Sequence, residues 1–197
     1  MIVKSFEINK INNSHKIFLF YGENEGHKNE IIEDKFKKKY TNSIYVYEEN
    51  EILKNQENFF NEILSKSFFE KEKLIIINRT TDKIKNLIDE IIEKKIDDII
   101  IILNSNSLEK KSKLRILFEK NKDLTCIPFY ADNNQTLNSI INFFFREKKI
   151  SISQQLINVL IERSRGDRKN LRNELQKIES FALNKKNINF QEIIKLT

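Results

Sequence analysis

The sequence has few of the residues that bend, cross-link or ligate a polypeptide chain. Its 197 residues include three glycines, one proline, one cysteine, two histidines and no tryptophan. The single Cys126 excludes an internal disulfide, and with only His15 and His27 as imidazoles it leaves no transition-metal cluster. We therefore expect neither a metal site nor redox chemistry.

Long apolar runs are also missing. The longest of them, such as residues 99–103, are far shorter than the ~20 residues that cross a bilayer. The opening MIVKSFEINK lacks the apolar core of a signal peptide. We therefore expect a cytoplasmic protein with no membrane partner.

Basic residues are in excess and unevenly placed. The net charge of +6 and the pI near 9.2 permit binding to nucleic acid, but abundant Lys, Asn and Ile are also what an A/T-biased coding preference produces. Residues 151–197 hold nine Lys or Arg against five Asp or Glu, a net charge of +4. Four of the seven arginines lie there within ten residues: Arg163, Arg165, Arg168 and Arg172.

Short runs of β-branched and aromatic residues alternate with segments of helical periodicity. Several runs are apolar throughout, which is typical of strands covered on both faces. The alternation predicts an α/β fold, a doubly wound parallel sheet of about five strands with a ligand or partner edge at the carboxyl ends of the strands. The predicted strands are residues 17–21, 43–47, 74–77, 99–103 and 125–129.

No strand pattern follows Pro128. Helical periodicity predicts helices over residues 137–147, 153–164 and 167–183, the second opened by a Ser cap. The sequence therefore predicts an α/β domain at residues 1–134 and a small all-helical domain at residues 135–197.

Two of the three glycines, Gly22 and Gly26, directly follow the first predicted strand and precede a helix. A glycine-rich loop in this position is the context of a phosphate-binding loop, in which backbone N–H groups and a helix N-terminus hold phosphates. A plain tight turn is the alternative for such a glycine pair.

The details depart from a working phosphate loop. The motif G-x-x-x-x-G-K-[S/T] has one more residue between its glycines, and here the lysine, Lys28, comes one position late with no hydroxyl after it. Glu23 and Glu25 would repel a triphosphate. The third strand ends in Asn78 and Arg79, where a nucleotide hydrolase places carboxylates for Mg²⁺. We therefore interpret Gly22, Gly26 and Lys28 as a vestigial nucleotide loop and expect no cofactor.

The third glycine opens the segment SRGDRKNLRNELQKI at residues 164–178. This segment resembles the last helix of the helical lid in the AAA+ superfamily, and the resemblance assigns Gly166 and Asp167 to the start of that helix. In active members an arginine near the helix start senses the γ-phosphate. The matching position here is Lys169, which is a further departure.

Three motifs in order, YGENEG at 21–26, IIIILNSNSLEKKSKLR at 99–115 and GDRKNLRNELQKIE at 166–179, resemble the delta subunits of bacterial DNA polymerase III clamp loaders. The resemblance covers essentially the whole chain. It implies a non-hydrolysing AAA+-like subunit that binds and helps to open the sliding clamp (the beta subunit). It also implies gamma/tau and delta prime subunits as partners, and DNA within the loader. We expect the family's C-terminal collar domain to be absent.

Two consequences of the resemblance concern single sites. Active loader subunits carry an arginine before a cysteine that reaches a neighbour's ATP, and here Thr125 precedes Cys126, so no such finger is expected. The family grips the clamp through a hydrophobic pair before the third strand, which corresponds to Phe68 and Phe69, flanked here by Ser67 and Leu64. By helical spacing alone, Phe68 would instead extend the stripe of Phe60 and Leu64 into the core.

Other interpretations stay open at this point. Arg165, Arg168 and Arg172 either contact DNA or a neighbouring subunit, or form a solvated helix face paired with nearby carboxylates. The chain as a whole could also be an active P-loop NTPase with an atypical loop, or a basic DNA-binding module that uses the helical domain alone.

Overall fold

The computed structural model of the protein describes residues 1–10, 15–40, 43–65, 72–96 and 98–182, together with Gln191 and Lys195. The chain forms two compact units. The first comprises Met1–Glu23 and Lys28–Phe129, and the second comprises Asn24–His27 and Tyr130–Thr197. The predicted division into domains at residue 134 stays a prediction.

A five-stranded parallel sheet forms the centre of the first unit, with the spatial order β2-β3-β4-β1-β5. The strands are β1 Ile17–Tyr21, β2 Ile44–Glu48, β3 Lys73–Asn78, β4 Ile99–Ser105 and β5 Leu124–Pro128. Tyr21, the last residue of β1, is in register with Ser105 on one side and Pro128 on the other. The loop that begins at Gly22 therefore starts between the carboxyl ends of β4 and β5.

The sheet is covered on both faces, and the sequence of its strands reflects this. Ile75 and Ile77 of β3 pack into one apolar cluster, whereas Leu74 and Ile76 pack into a second one. All four side chains are buried because successive residues of a strand point to opposite faces. The predicted doubly wound sheet of about five strands is thereby confirmed.

Helices connect the strands of the first unit. Capping is local: the Asn55 side chain accepts a hydrogen bond from Asn58 N, and the Ser112 side chain accepts one from Arg115 N. Short 3₁₀ segments occur at Ser5–Lys10 and Asp82–Ile84. The helices are α1 Glu25–Ile31, which continues as a π-helical segment over Ile32–Lys37, then α2 Glu49–Lys54, α3 Gln56–Leu64, α4 Lys85–Glu93 and α5 Lys113–Lys120.

In its described part, the second unit is helical after Tyr130. It contains α6 Asn134–Glu147, α7 Gln154–Ser164 and α8 Arg168–Ala182. Each helix turns an apolar face to a shared core, for example Ile141 of α6, Leu160 of α7 and Leu171 of α8, which are fully buried. The predicted Ser cap is confirmed, because the Ser153 side chain accepts a hydrogen bond from Leu156 N.

Two element boundaries differ from the sequence prediction by more than one residue. β4 extends to Ser105 because the polar Asn104 and Ser105 continue the pairing with β1. α6 begins at Asn134, three residues early, because the Asn133 side chain caps it by accepting a hydrogen bond from Thr136 N. None of the described helices is both long and apolar enough to span a membrane.

Candidate functional site

The candidate site is the loop from Gly22 to Lys28, which the sequence predicts to be a degenerate phosphate loop. Gly22 adopts φ 125°, and a Cβ at this position would lie 2.2 Å from the carbonyl oxygen of Phe129. Phe129 is fixed there because its N–H donates to Tyr21 O at 2.8 Å. Glycine at position 22 is therefore required by packing inside the first unit, whether or not a phosphate binds.

Asn24 organises the part of the loop that belongs to the second unit. Its side-chain oxygen accepts a hydrogen bond from His27 N at 3.0 Å, which caps the start of α1. Its amide group donates to Tyr130 O at 3.0 Å and to Asp132 Oδ2 at 2.8 Å. Asn24 is buried, so these contacts hold residues 24–27 to the segment after β5.

Gly26 packs directly against the first turn of α8. A Cβ on Gly26 would lie 2.8 Å from Lys169 N and 3.1 Å from Arg168 Cβ. In a working loop the backbone around this glycine faces phosphate oxygens. Here Gly26 instead faces the backbone of Lys169 and the Cβ of Arg168 in α8.

Arg168 and Asp132 form a closed ion pair beside this contact. Arg168 Nε donates to Asp132 Oδ2 at 2.7 Å and its NH2 group donates to Oδ1 at 2.5 Å, while Asn24 donates to Oδ2 as well. The side chains of Arg168 and Asp132 are only 9% and 4% exposed. Burial opposes ionisation of Asp132, but the hydrogen bonds from Arg168 and Asn24 outweigh it and hold the pKa of the carboxyl below its ordinary value. We call Asn24, Asp132 and Arg168 the clasp.

His27 lies next to the clasp and is half-buried. Burial, and next the positive charge of Arg168, lower the pKa of His27 from 6.5 to about 4, and the Asp132 carboxylate offsets only part of this. At neutral pH the imidazole is therefore uncharged.

Lys28 is fully buried in the first unit and is used structurally. Its Nζ donates to the carbonyl oxygen of Ser105 at 2.7 Å. The Ser105 hydroxyl in turn shares a 2.5 Å hydrogen bond with the Thr80 hydroxyl. An ammonium held in this way at the end of β4 is directed at the protein's own backbone and away from solvent.

The end of β3 carries amide and guanidinium groups where a hydrolase would carry carboxylates. Asn78 accepts a hydrogen bond from Asn104 Nδ2 at 3.3 Å, and Arg79 Nε donates to Glu48 Oε2 at 2.6 Å. Among the described residues, no group of three His, Cys, Asp or Glu side chains could hold a metal ion. Cys126 is buried, and burial raises the pKa of its thiol to about 12, so it is not a reactive thiolate at neutral pH.

The other predicted residues of the second unit lie around the start of α8. Gly166 has φ 75° with open space around it, and the Asp167 side chain caps the helix by accepting from Asn170 N at 2.8 Å. Lys169, Arg165 and Arg172 are exposed. Of the three arginines considered for DNA or subunit contact, Arg168 alone is enclosed in the clasp.

The segment predicted to bind the clamp follows α3. Leu64 is 45% exposed, whereas Phe59 and Ile63 of the same helix are buried. Helical spacing alone therefore overestimates the burial of Leu64. Ser67, Phe68 and Phe69 lie outside the described residues, and their role stays a prediction.

The two ends of that segment are joined. Lys73, the first residue of β3, is buried, and its Nζ donates to Glu62 O at 2.9 Å and to Ser65 O at 2.5 Å. These carbonyls belong to the last turn of α3, which has no further helical N–H groups to bind. The start of β3 is therefore joined to the C-terminal end of α3 by a buried ammonium.

Sequence reasoning missed the clasp. Asp132 and Arg168 are 36 positions apart, and Asn24 is a further 108 positions from Asp132. No periodicity links such positions. The available signal was that Asn24 precedes a helix start, where an Asn often caps.

Neither a protein-family model nor a curated protein sequence matches this chain. Several solved structures match it in fold. The Bacillus subtilis DNA clamp loader delta protein gives a TM-score of 0.61 at 14% identity, over 98% of this chain and 61% of that one. The Thermotoga maritima RuvB Holliday junction branch migration motor gives 0.56 at 14%, over 91% and 60%.

Domain III of the Thermotoga maritima replication initiation protein DnaA gives a TM-score of 0.50 at 14% identity, over 98% of this chain and 87% of that domain. Together with the five-stranded parallel sheet and the helical second unit, these likenesses define an AAA+-like fold. One of the matching structures is a clamp loader delta protein, the family that the sequence motifs resemble. The chain spans 61% of the length of that protein.

Proposed function

We propose that this chain is a delta-type clamp-loader subunit that binds the ring-shaped sliding clamp and helps to open it during DNA replication, without hydrolysing ATP. It acts in the cytoplasm, as a non-catalytic part of a DNA polymerase III holoenzyme. Its partners are the sliding clamp (the beta subunit), the gamma/tau and delta prime subunits, and DNA within the loader. In this proposal residues 1–134 are the AAA+-like domain and residues 135–197 are the lid domain.

The observation that carries the proposal is the closed loop. Gly26 faces the backbone of α8, and Lys28 is bound to the Ser105 carbonyl. Both groups that would meet a nucleotide phosphate are therefore engaged within the protein. A subunit built in this way would act by binding other proteins and would respond to ATP only through its neighbours.

The second support is the α3 to β3 segment. Leu64 is an exposed apolar residue next to the predicted anchor, and Lys73 fixes the two ends of the segment. Aromatic side chains are among the residues that supply most of the energy of protein interfaces. On this basis we assign clamp binding to Phe68 and Phe69, with Ser67 and Leu64 beside them.

The test is binding of this chain to the sliding clamp of the same cell, measured by surface plasmon resonance without nucleotide. We expect nucleotide-independent binding that the Phe68→Ala/Phe69→Ala variant weakens by at least about 30-fold, the effect of removing two anchors of ~1–2 kcal/mol each. The matched control is Phe6→Ala/Phe143→Ala, because these phenylalanines are 74% and 56% exposed elsewhere. Equal affinity of both double variants would refute the assigned site, and no binding of the unaltered chain would refute the function.

The alternative of an active NTPase makes the opposite prediction for nucleotide. Isothermal titration with Mg²⁺ and ATP should give binding heat if the loop is functional. The acidic Glu23 and Glu25 beside the closed glycine contact disfavour this outcome. The alternative of a DNA-binding module predicts steeply salt-dependent DNA binding that survives deletion of residues 1–135.

A further inference from the structure

A cavity of about 410 Å³ lies between the first residue of α4 and one face of α5. This volume falls within the ~300–1,000 Å³ range of ligand sites. Its floor is aliphatic and its rim is basic. The lining residues are Lys85, Lys113, Ile116, Leu117, Lys120 and Asn121.

α5 presents two different faces. Leu114 and Phe118 are fully buried in the sheet's core cluster. The cavity face consists of Lys113, Ile116, Leu117 and Lys120, at the i, i+3, i+4 and i+7 spacing of a single helix face. The cavity face of α5 therefore carries a lysine at each end and two aliphatic residues between them.

The two aliphatic side chains are incompletely covered. Ile116 is half-buried and belongs to none of the core clusters that the described residues form. Leu117 packs only partly against the sheet's cluster. Together they offer an apolar contact that a partner side chain could complete.

The rim is positive, and its lysines Lys113 and Lys120 can pair with charges of a partner. Lys113 and Lys120 form no ion pair with any residue that the structure describes, and both are exposed. Lys85 Nζ donates to Asp89 Oδ2 at 2.5 Å. None of the described residues that line the cavity is acidic.

Two of the three rim lysines have a carboxylate nearby, Asp89 beside Lys85 and Asp82 beside Lys113. Asp82 accepts hydrogen bonds from the Ser112 hydroxyl at 2.5 Å and from the N–H groups of Lys113 and Leu114 at 3.0 Å each. It thus caps α5. Glu119 on the same helix accepts from Arg115 Nε at 2.7 Å.

We propose that this cavity docks an acidic segment of a partner protein, which inserts one aliphatic or aromatic side chain over Ile116 and Leu117. Carboxylates on either side of that residue pair with Lys113 and Lys120. The seven-residue spacing of these lysines rises ~10 Å along the helix. Side chains on the same side of an extended chain recur at every second residue. With the reach of the long lysine side chains, the segment therefore carries its two acidic residues four positions apart, ~13 Å, with the apolar residue midway between them.

The chemistry favours an acidic peptide over nucleic acid. A phosphate backbone would satisfy the lysines but would leave the aliphatic floor exposed to water. A peptide with both features satisfies rim and floor at once. This proposal does not depend on clamp binding through Phe68 and Phe69.

The test uses fluorescence anisotropy on the full chain with a labelled peptide in which two glutamates lie four positions apart with a leucine midway between them. We expect Lys113→Glu/Lys120→Glu to weaken binding at least about tenfold, because two rim pairs are lost and like charges are introduced. Ile116→Ser should also weaken binding, since it removes the apolar contact outside the core. The matched control is Lys54→Glu/Lys95→Glu, which makes the same charge change at exposed positions that do not line the cavity.

Each outcome decides the proposal. The proposal is supported if the cavity variants lose peptide affinity, the control variant keeps it, and the thermal unfolding of all variants is unchanged. Failure of the unaltered chain to bind, or equal loss in both double variants, overturns it. The proposal also fails if a peptide with serine in place of leucine, or a single-stranded oligonucleotide, binds as tightly, because the cavity would then recognise charge alone.

Discussion

Arg168 and Asp132 are joined by two parallel hydrogen bonds of 2.7 and 2.5 Å in a nearly solvent-free position. A two-point guanidinium–carboxylate pair of this type is strong and fixed in orientation. It places a carboxylate of the chain itself opposite an arginine at the start of α8. The loop residues 24–27 are therefore held by an internal anion.

Breaking the clasp should destabilise the protein. Asp132→Ala would leave the Arg168 guanidinium buried without its partner, which we expect to lower the free energy of unfolding by about 3–5 kcal/mol. Urea denaturation measures this change. Asp132→Ala/Arg168→Leu should recover part of the loss because neither charge remains buried.

A surface pair provides the comparison for the clasp. Glu90 and Lys94 form an exposed i,i+4 pair at 3.3 Å, so Glu90→Ala should cost less than about 0.5 kcal/mol. If Asp132→Ala costs no more than Glu90→Ala, the clasp has no structural role.

His27 should make stability depend on pH. Its folded pKa of about 4 lies below its unfolded value of 6.5, so the unfolded state binds more protons between these two values. The neutral His27 therefore contributes fully to the free energy of unfolding above pH 6.5. This contribution decreases as the pH falls from 6.5 toward 4. Urea denaturation between pH 7 and 4 should show this decline, and His27→Gln should flatten it. An unchanged slope in His27→Gln would show that the imidazole is not desolvated.

The three glycines should differ in their tolerance of alanine. Gly22→Ala should be the most damaging, since it combines φ 125° with a 2.2 Å approach to Phe129 O. Gly26→Ala should cost about 1–3 kcal/mol from overpacking against α8. Gly166→Ala meets no atom within 4 Å and should cost only the ~1–2 kcal/mol of its left-handed backbone. Thermal unfolding of the three variants measures this order. If Gly166→Ala is the least stable of the three, the expected order is refuted.

Lys28 should contribute to stability and not to nucleotide binding. Lys28→Met keeps the aliphatic chain but removes the donor to Ser105 O, which should cost at least about 1–3 kcal/mol. Lys54→Met, at an exposed position, should stay within about 0.5 kcal/mol of the unaltered chain. A loop that binds ATP would give the reverse pattern, with heat of ATP binding lost in Lys28→Met and stability retained.

Most of the fold could be predicted from local patterns. The runs Leu74 to Ile77 and Ile99 to Leu103 are apolar at every position, which required a sheet covered on both faces. Ser153 could be identified as a cap because capping depends on residues only three positions apart. Such signals are local, so sequence alone contains them.

The site could be predicted only in part. The departure of the loop from the phosphate motif was visible in the position of Lys28 and the acids around it. The contact of Gly26 with α8 and the Asp132–Arg168 ion pair were not visible in the sequence. Asp132 and Arg168 meet only through the packing of α8 against the loop. The inward role of Arg168 within a basic cluster likewise depends on which way its helix face turns.

The contacts of Gly22 and Gly26 imply that two separate constraints can act on one sequence motif. Both glycines are required by the backbone of Phe129 and of α8, so substitution is opposed even without any ligand. The residues between them carry no such steric requirement. Among descendants of this gene, we therefore expect the two glycines and the clasp residue Asn24 to persist while the exposed Glu23 and Glu25 change. A glycine signature alone should not be taken as a sign of nucleotide use.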